Sequence, residues 1–162
     1  MNDQLASGLV FREVARRAAR ENAGTALGDA LTRVASEIAE DITTFERMME
    51  RLGLARSRVK PRLAIAAERL ARLKLNGRVL TYSPLSRFAE LDLLAIGIEG
   101  KKILWVNLAD LAGLRERLPD VDFAALIERA TSQRAELEPF RASAGRDALH
   151  VDVARPRNRS YP

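Results

Sequence analysis

The sequence predicts an all-α fold: four long helices form a bundle, and a shorter helix sits in a long crossover between two helical hairpins. Three observations predict it. Ala, Leu, Arg and Glu, all good helix formers, dominate the 162 residues. Apolar residues recur at spacings of three and four, and no stretch alternates with a period of two over a useful length. Helix start and stop residues fall between the periodic stretches.

The first helix is expected over roughly Gln4 to Asn22, capped by Asn2 or Asp3, with Leu5, Leu9, Val14 and Ala18 on its inner side. Gly24 closes it and Thr25 caps the next. The second runs from about Ala26 to Leu52, and Gly53 ends it. A shorter third helix is expected over Arg58 to Leu75, with Pro61 in its first turn and Asn76-Gly77 as its stop. Ser83-Pro84, a cap followed by a first-turn proline, starts the fourth, which runs to about Ala112 before Gly113. Asp122 caps the fifth, which runs to about Leu149. Pro139 lies inside it and is expected to kink it or end it early, because proline removes a helix bond and clashes with the turn before it.

The tight turn at Gly24-Thr25 makes the first two helices antiparallel neighbours, and the short link at Pro119-Asp120 does the same for the last two. The roughly 30 residues between the pairs hold the third helix. One domain is expected over residues 1–149, with a mobile tail over residues 150–162, where periodicity is absent. A chain of this length buries enough surface for a true core.

Composition excludes several chemistries. There is no cysteine, so disulfides, thiolate zinc sites and cysteine nucleophiles are ruled out. The single histidine, His150, lies at the end of the fifth helix or in the tail, so a Ser-His-Asp arrangement has no credible base. No glycine-rich phosphate loop follows a strand. The N-terminal stretch MNDQLASGLVFREVARR lacks the order of charge and apolar residues of a signal peptide. No apolar run approaches a membrane span. The expected location is cytoplasmic.

The net charge of +5 is unevenly placed: from Arg56 to Arg78 there are eight basic residues against one acid, Glu68. Arg58, Arg62, Arg69 and Arg72 form a basic stripe beside Val59, Leu63, Leu70 and Leu73. Such a stripe is a solvated face or an intramolecular partner for acidic helices. Its alternative use is to bind nucleic acid phosphates or an anionic membrane. Few aromatic residues lie near it, so base stacking has little support.

The second helix carries the sharpest question. Leu27, Leu31, Val34, Ile38, Phe45, Met48 and Leu52 form one apolar seam, and Asp41 interrupts it. An adjacent seam runs through Leu31, Ala35, Ile38, Ile42, Phe45, Met49 and Leu52. Asp41 therefore sits at the edge of the core, with Glu37 and Glu40 beside it. An isolated buried carboxylate pairs or becomes protonated. On the fifth helix the seam Phe123, Ile127, Ala130, Arg134, Leu137, Arg141 and Ala144 brings Arg134 to mid-bundle. On the fourth, Glu99 is flanked by Ile96, Ile103 and Val106. Three readings stand: carboxylates at a solvated edge, a buried pair of Arg134 with Asp41 or Glu99, and a carboxylate metal site from Glu37, Glu40, Asp41, Glu99 and Glu128.

The stretch Arg72-Leu73-Lys74-Leu75-Asn76-Gly77-Arg78, then Tyr82-Ser83-Pro84-Leu85-Ser86, Glu90, Gly100-Lys101 and Leu104-Trp105, resembles a group of uncharacterised actinobacterial helical proteins. With Glu37 to Gly53, these residues also resemble the ferritin-like superfamily. The resemblance implies the two-hairpin bundle with one crossover. Active ferritin-like proteins use Glu-x-x-His on two helices. Here Glu37-Ile38-Ala39-Glu40 and Glu128-Arg129-Ala130-Thr131 both lack the histidine. The expected role is therefore a non-catalytic structural or protein-interaction one, with no cofactor and with another protein or a second copy as partner. A carboxylate-bridged di-metal oxidoreductase is the alternative.

Overall fold

The computed structural model describes residues 1–54 and 83–149, and every regular element among them is helical. In chain order these are α1 (Asn2–Glu21), α2 (Ala26–Arg51), α3 (Pro84–Ala109), α4 (Leu114–Arg117) and α5 (Phe123–Ala148). The expected third helix and its basic stripe, Arg58, Arg62, Arg69 and Arg72, lie outside the described residues, as does the expected tail from residue 150 onward.

Three of the caps anticipated from sequence are made, but the first helix is not capped by Asn2 or Asp3: it starts at Asn2, with Met1 in the cap position and no side-chain cap bond. Thr25 Oγ1 accepts from the Gly28 N–H at 3.1 Å, Ser83 Oγ from Ser86 N–H at 3.1 Å, and Asp122 Oδ1 from Ala125 N–H at 2.9 Å. Each satisfies one of the orphan donors of a first helical turn. Two more expectations are corrected. The helix from Pro84 stops at Ala109, not Ala112, and the link to α5 folds the one-turn α4 after Gly113, which takes a left-handed φ of 72°. Of the two outcomes expected at Pro139, a kink or an early end, the early end is excluded: the last helix runs through it to Ala148. Pro139 and Ala135, whose carbonyl loses its partner, both lie on the exposed side, where water can serve that carbonyl.

The turn between α1 and α2 is closed by side chains. Buried Asn22 donates through Nδ2 to Ala18 O at 2.8 Å, and Thr25 Oγ1 donates to Asn22 O at 2.7 Å. The turn wraps so closely over α2 that a Cβ at Gly28 would stand 2.2 Å from the Asn22 carbonyl oxygen. Only backbone movement could relieve that. Gly28→Ala is accordingly expected to destabilise by about 1–3 kcal/mol, in the range of overpacked sites. A urea midpoint equal to the parent's would refute this.

Four long helices surround one core. α1 packs along α2, and α3 along α5; the two hairpins then meet where α1 touches α3 and where α2 touches α5. Cross-helix partners give the directions. Arg33 of α2 meets Glu136 of α5, Glu37 meets Gln133, Asp41 meets Arg129, and Arg51 meets Asp120. Rising numbers on one helix meet falling numbers on the other, so these neighbours are antiparallel. Arg17–Glu90 and Phe11 against Gly97 show the same for α1 and α3. Consequently α2 ends at one end of the bundle and α3 begins at the other.

Both seams expected on α2 are buried, including Leu31, Ile38, Ile42, Phe45, Met48 and Met49. On α3 the buried side is Leu91, Leu94, Ile98 and Trp105. Ile96 and Ile103, taken from the sequence as flanks of an interior Glu99, are 64% and 53% exposed. On α5 the inward positions are Phe123, Leu126, Ala130, Gln133, Leu137 and Ala144. Gly97 takes the ring of Phe11: a Cβ there would fall 2.6 Å from it.

Candidate functional site

Three seams, each apolar on either side, carry one polar residue at the same level of the bundle. They are Asp41 on α2, Lys101 on α3 and Gln133 on α5. Lys101 Nζ donates to Asp41 Oδ2 at 2.5 Å and to Gln133 Oε1 at 2.6 Å. The Gln133 amide donates through Nε2 to Glu37 Oε2 at 2.7 Å. Arg129, four residues before Gln133 and so on the adjoining face of α5, donates through one nitrogen to Asp41 Oδ1 and to Glu40 Oε2, both at 3.1 Å. Both oxygens of Asp41 are thus held by cations, and the carboxylate is only 2% exposed.

Such a group is stable only with this degree of pairing, since a buried charge without partners costs far more than its hydrogen bonds return. The Lys101 side chain, 16% exposed, brings its ammonium in along an apolar stem. Burial pushes its pKa below the ordinary 10.5; Asp41 and, further off, Glu37 oppose that shift, and Arg129 adds to it. The consequence for stability has a definite sign. Between its folded pKa and 10.5 the unfolded chain holds a proton that the folded chain lacks, so this group stabilises the fold increasingly as pH rises through that window. Below the folded pKa its contribution is constant. The difference in denaturation free energy between the parent and Lys101→Met should therefore shift in the parent's favour as pH is raised from neutral toward that limit. A pH-independent difference, or one moving the other way, would contradict it.

The other sequence candidates fall elsewhere. Arg134 is not the counter-charge to Asp41 or to Glu99: it stands one position past Gln133, about 100° round the helix, and pairs with Glu138 on the surface. Arg141 pairs with the same Glu138 at 2.8 Å and with Asp92 at 3.1 Å. Hydrogen bonds from Arg141 and then Arg134 hold the Glu138 carboxyl down to about 2. Glu99 is exposed and reaches Lys102 at 3.8 Å. Glu128 is exposed as well, so Glu37, Glu40, Asp41, Glu99 and Glu128 are not gathered about one point. Among the described residues no three His, Cys, Asp or Glu side chains are placed to hold a metal ion. Also among the described residues, no helix is long and apolar enough to cross a membrane.

Sequence reasoning missed Lys101, Gln133 and Arg129. The signal was present for two of them. Leu91, Leu94, Ile98, Lys101, Trp105 and Leu108 follow spacings of three and four without a break, as do Phe123, Leu126, Ala130, Gln133, Leu137, Phe140 and Ala144. Comparison of the chain with protein-family models, with curated proteins and with solved structures finds no match.

Proposed function

We propose that this chain is a ferritin-like bundle in which protein cations occupy the level where a metal-binding relative would gather its carboxylates, and that it serves a non-catalytic structural or protein-interaction role. The observation that carries the reading is the Lys101 ammonium set between Asp41 and Gln133, with Arg129 on the remaining Asp41 oxygen. Carboxylates engaged in this way are poor metal ligands, because a metal would have to displace two cations. The antiparallel neighbours, with α2 ending and α3 beginning at opposite ends, support the ferritin-like assignment, which is the one-crossover form of the four-helix bundle.

A second copy of the chain is the first partner to test. Leu85, Ile96, Ile103 and Val106 recur at helical spacing along the outward side of α3, and all four are exposed. Ile96, Ile103 and Val106 flank the exposed Glu99, and we read this apolar patch, crossed by one charge, as a protein-contact surface. Native mass spectrometry of protein incubated with iron, manganese and zinc reads both halves of the proposal. More than one subunit and no stoichiometric metal are expected, with Ile96→Glu/Ile103→Glu returning the protein to monomer. Stoichiometric metal defeats the cation-filled centre, and a parent that stays monomeric defeats self-association.

A further inference from the structure

An exposed glycine, Gly100, stands in the body of α3. Glycine weakens a helix interior relative to alanine. At Gly97 the reason lies inside the chain, because that residue makes room for the Phe11 ring. Gly100 has no such reason: a Cβ built there meets nothing within 4 Å among the described residues. A side chain that no neighbour excludes, yet is missing, lets a second backbone approach from outside.

The residues around Gly100 complement their own reversed order. At 100° per residue, Ile96 and Ile103 lie within about 20° of each other, Glu99 and Lys102 fall on one flank of that line, and Gly100 on the other. A second copy laid antiparallel across this face matches Ile96 with Ile103 and Glu99 with Lys102, and the midpoints of both matches fall half a residue either side of Gly100. A parallel copy would set Glu99 against Glu99 and Lys102 against Lys102. We infer that two copies associate antiparallel through α3 about a two-fold axis near Gly100, each Ile96 on the other copy's Ile103 and each Glu99 paired with the other copy's Lys102. This rests on the self-association read above from the exposed patch, and gives it a geometry. Two-fold contacts of this self-complementary kind are the commonest in oligomers. Within one chain Glu99 reaches Lys102 at only 3.8 Å, with both side chains partly in solvent, so exchanging partners gives up little. The apolar surface also continues past the helix. A pocket of about 310 Å³ between α1 and α3 is walled in part by Ile96, Gly97, Gly100 and Leu104, so a helix crossing at Gly100 covers it as well.

The chain has no cysteine, so introduced ones report the geometry without interference. Under mild oxidation, mixed Ile96→Cys and Ile103→Cys proteins should cross-link to each other at least tenfold faster than either does to itself. In the antiparallel pair like positions stand about 9–12 Å apart along the helices, whereas a disulfide needs Cα atoms within about 7 Å. Glu99→Lys and Lys102→Glu should each weaken dimerisation at least fivefold in sedimentation equilibrium. Their equimolar mixture should dimerise as the parent does, because each mixed pair restores both contacts. Gly100→Leu should lose at least tenfold in dimer affinity. At a concentration where both are monomeric, its urea midpoint should equal or exceed the parent's, since leucine favours helix over glycine. A parent that is monomeric throughout defeats self-association itself, and this geometry with it. A dimer whose cysteine variants cross-link to themselves as fast as to each other, whose charge variants do not rescue one another, or whose affinity survives Gly100→Leu overturns the antiparallel geometry alone. Loss of monomer stability in Gly100→Leu places another part of the same chain on this face and overturns it too.

Discussion

Replacing Asp41 by alanine is expected to cost about 3–5 kcal/mol, the range for removing one member of a buried ion pair. The loss is not that of two hydrogen bonds alone. Lys101 would keep Gln133 but lose its counter-charge, and Arg129 would keep only the exposed Glu40. Removing both ends of the main pair, as in Asp41→Leu/Lys101→Met, should restore much of the stability, because apolar packing replaces buried ions at little cost. Urea denaturation of Asp41→Leu, Lys101→Met and the double variant, followed by circular dichroism, measures the coupling. If Asp41→Ala unfolds within 1 kcal/mol of the parent, or the double variant loses the sum of the singles, the three-helix network is not what stabilises this level.

The second large effect is expected at Trp105. Truncation to alanine should destabilise by about 3–5 kcal/mol, as for other fully buried tryptophans. The indole packs edge-on against Phe45 with ring centroids 5.7 Å apart, and joins α3 to the core side of α2. Its N–H donates to no protein group, so the stabilisation comes from packing alone. Trp105→Phe should accordingly retain most of it. Equal losses in the alanine and phenylalanine variants, measured by the same denaturation, would contradict the packing account.

The helix ends and the burial of α2 were readable from the residues, because they rest on local chemistry. Thr25, Ser83 and Asp122 each act within three residues of themselves. The apolar seams of α2 are strong enough to fix which way the helix faces, and Asp41 stood out against them. α3 gave no such bearing. Apolar residues lie on its other sides too, so the unbroken seam through Lys101 competes with a rival face, and the face chosen around Glu99 proved to be the solvent face. On α5 a rotation of one residue replaced neutral Gln133 by charged Arg134. Asp41 was seen to need a counter-charge, but the residue that supplies it is set by how three helices are turned, which is decided in tertiary packing. The expected readings at Arg58, Arg62, Arg69 and Arg72 fall outside the described residues.

The four rungs that tie α2 to α5 and to the link before it, from Arg33–Glu136 to Arg51–Asp120, have a further effect. Alanine- and leucine-rich surfaces tolerate sliding past one another by a helical turn, about 5.4 Å, because one oily ridge fits much as the next does. A vernier of ion pairs and one amide–carboxylate bond does not. Slipping one hairpin by a single notch would misalign every rung at once, so polar graduations, two of them reaching buried Asp41 and Gln133, fix a setting that greasy contacts leave adjustable.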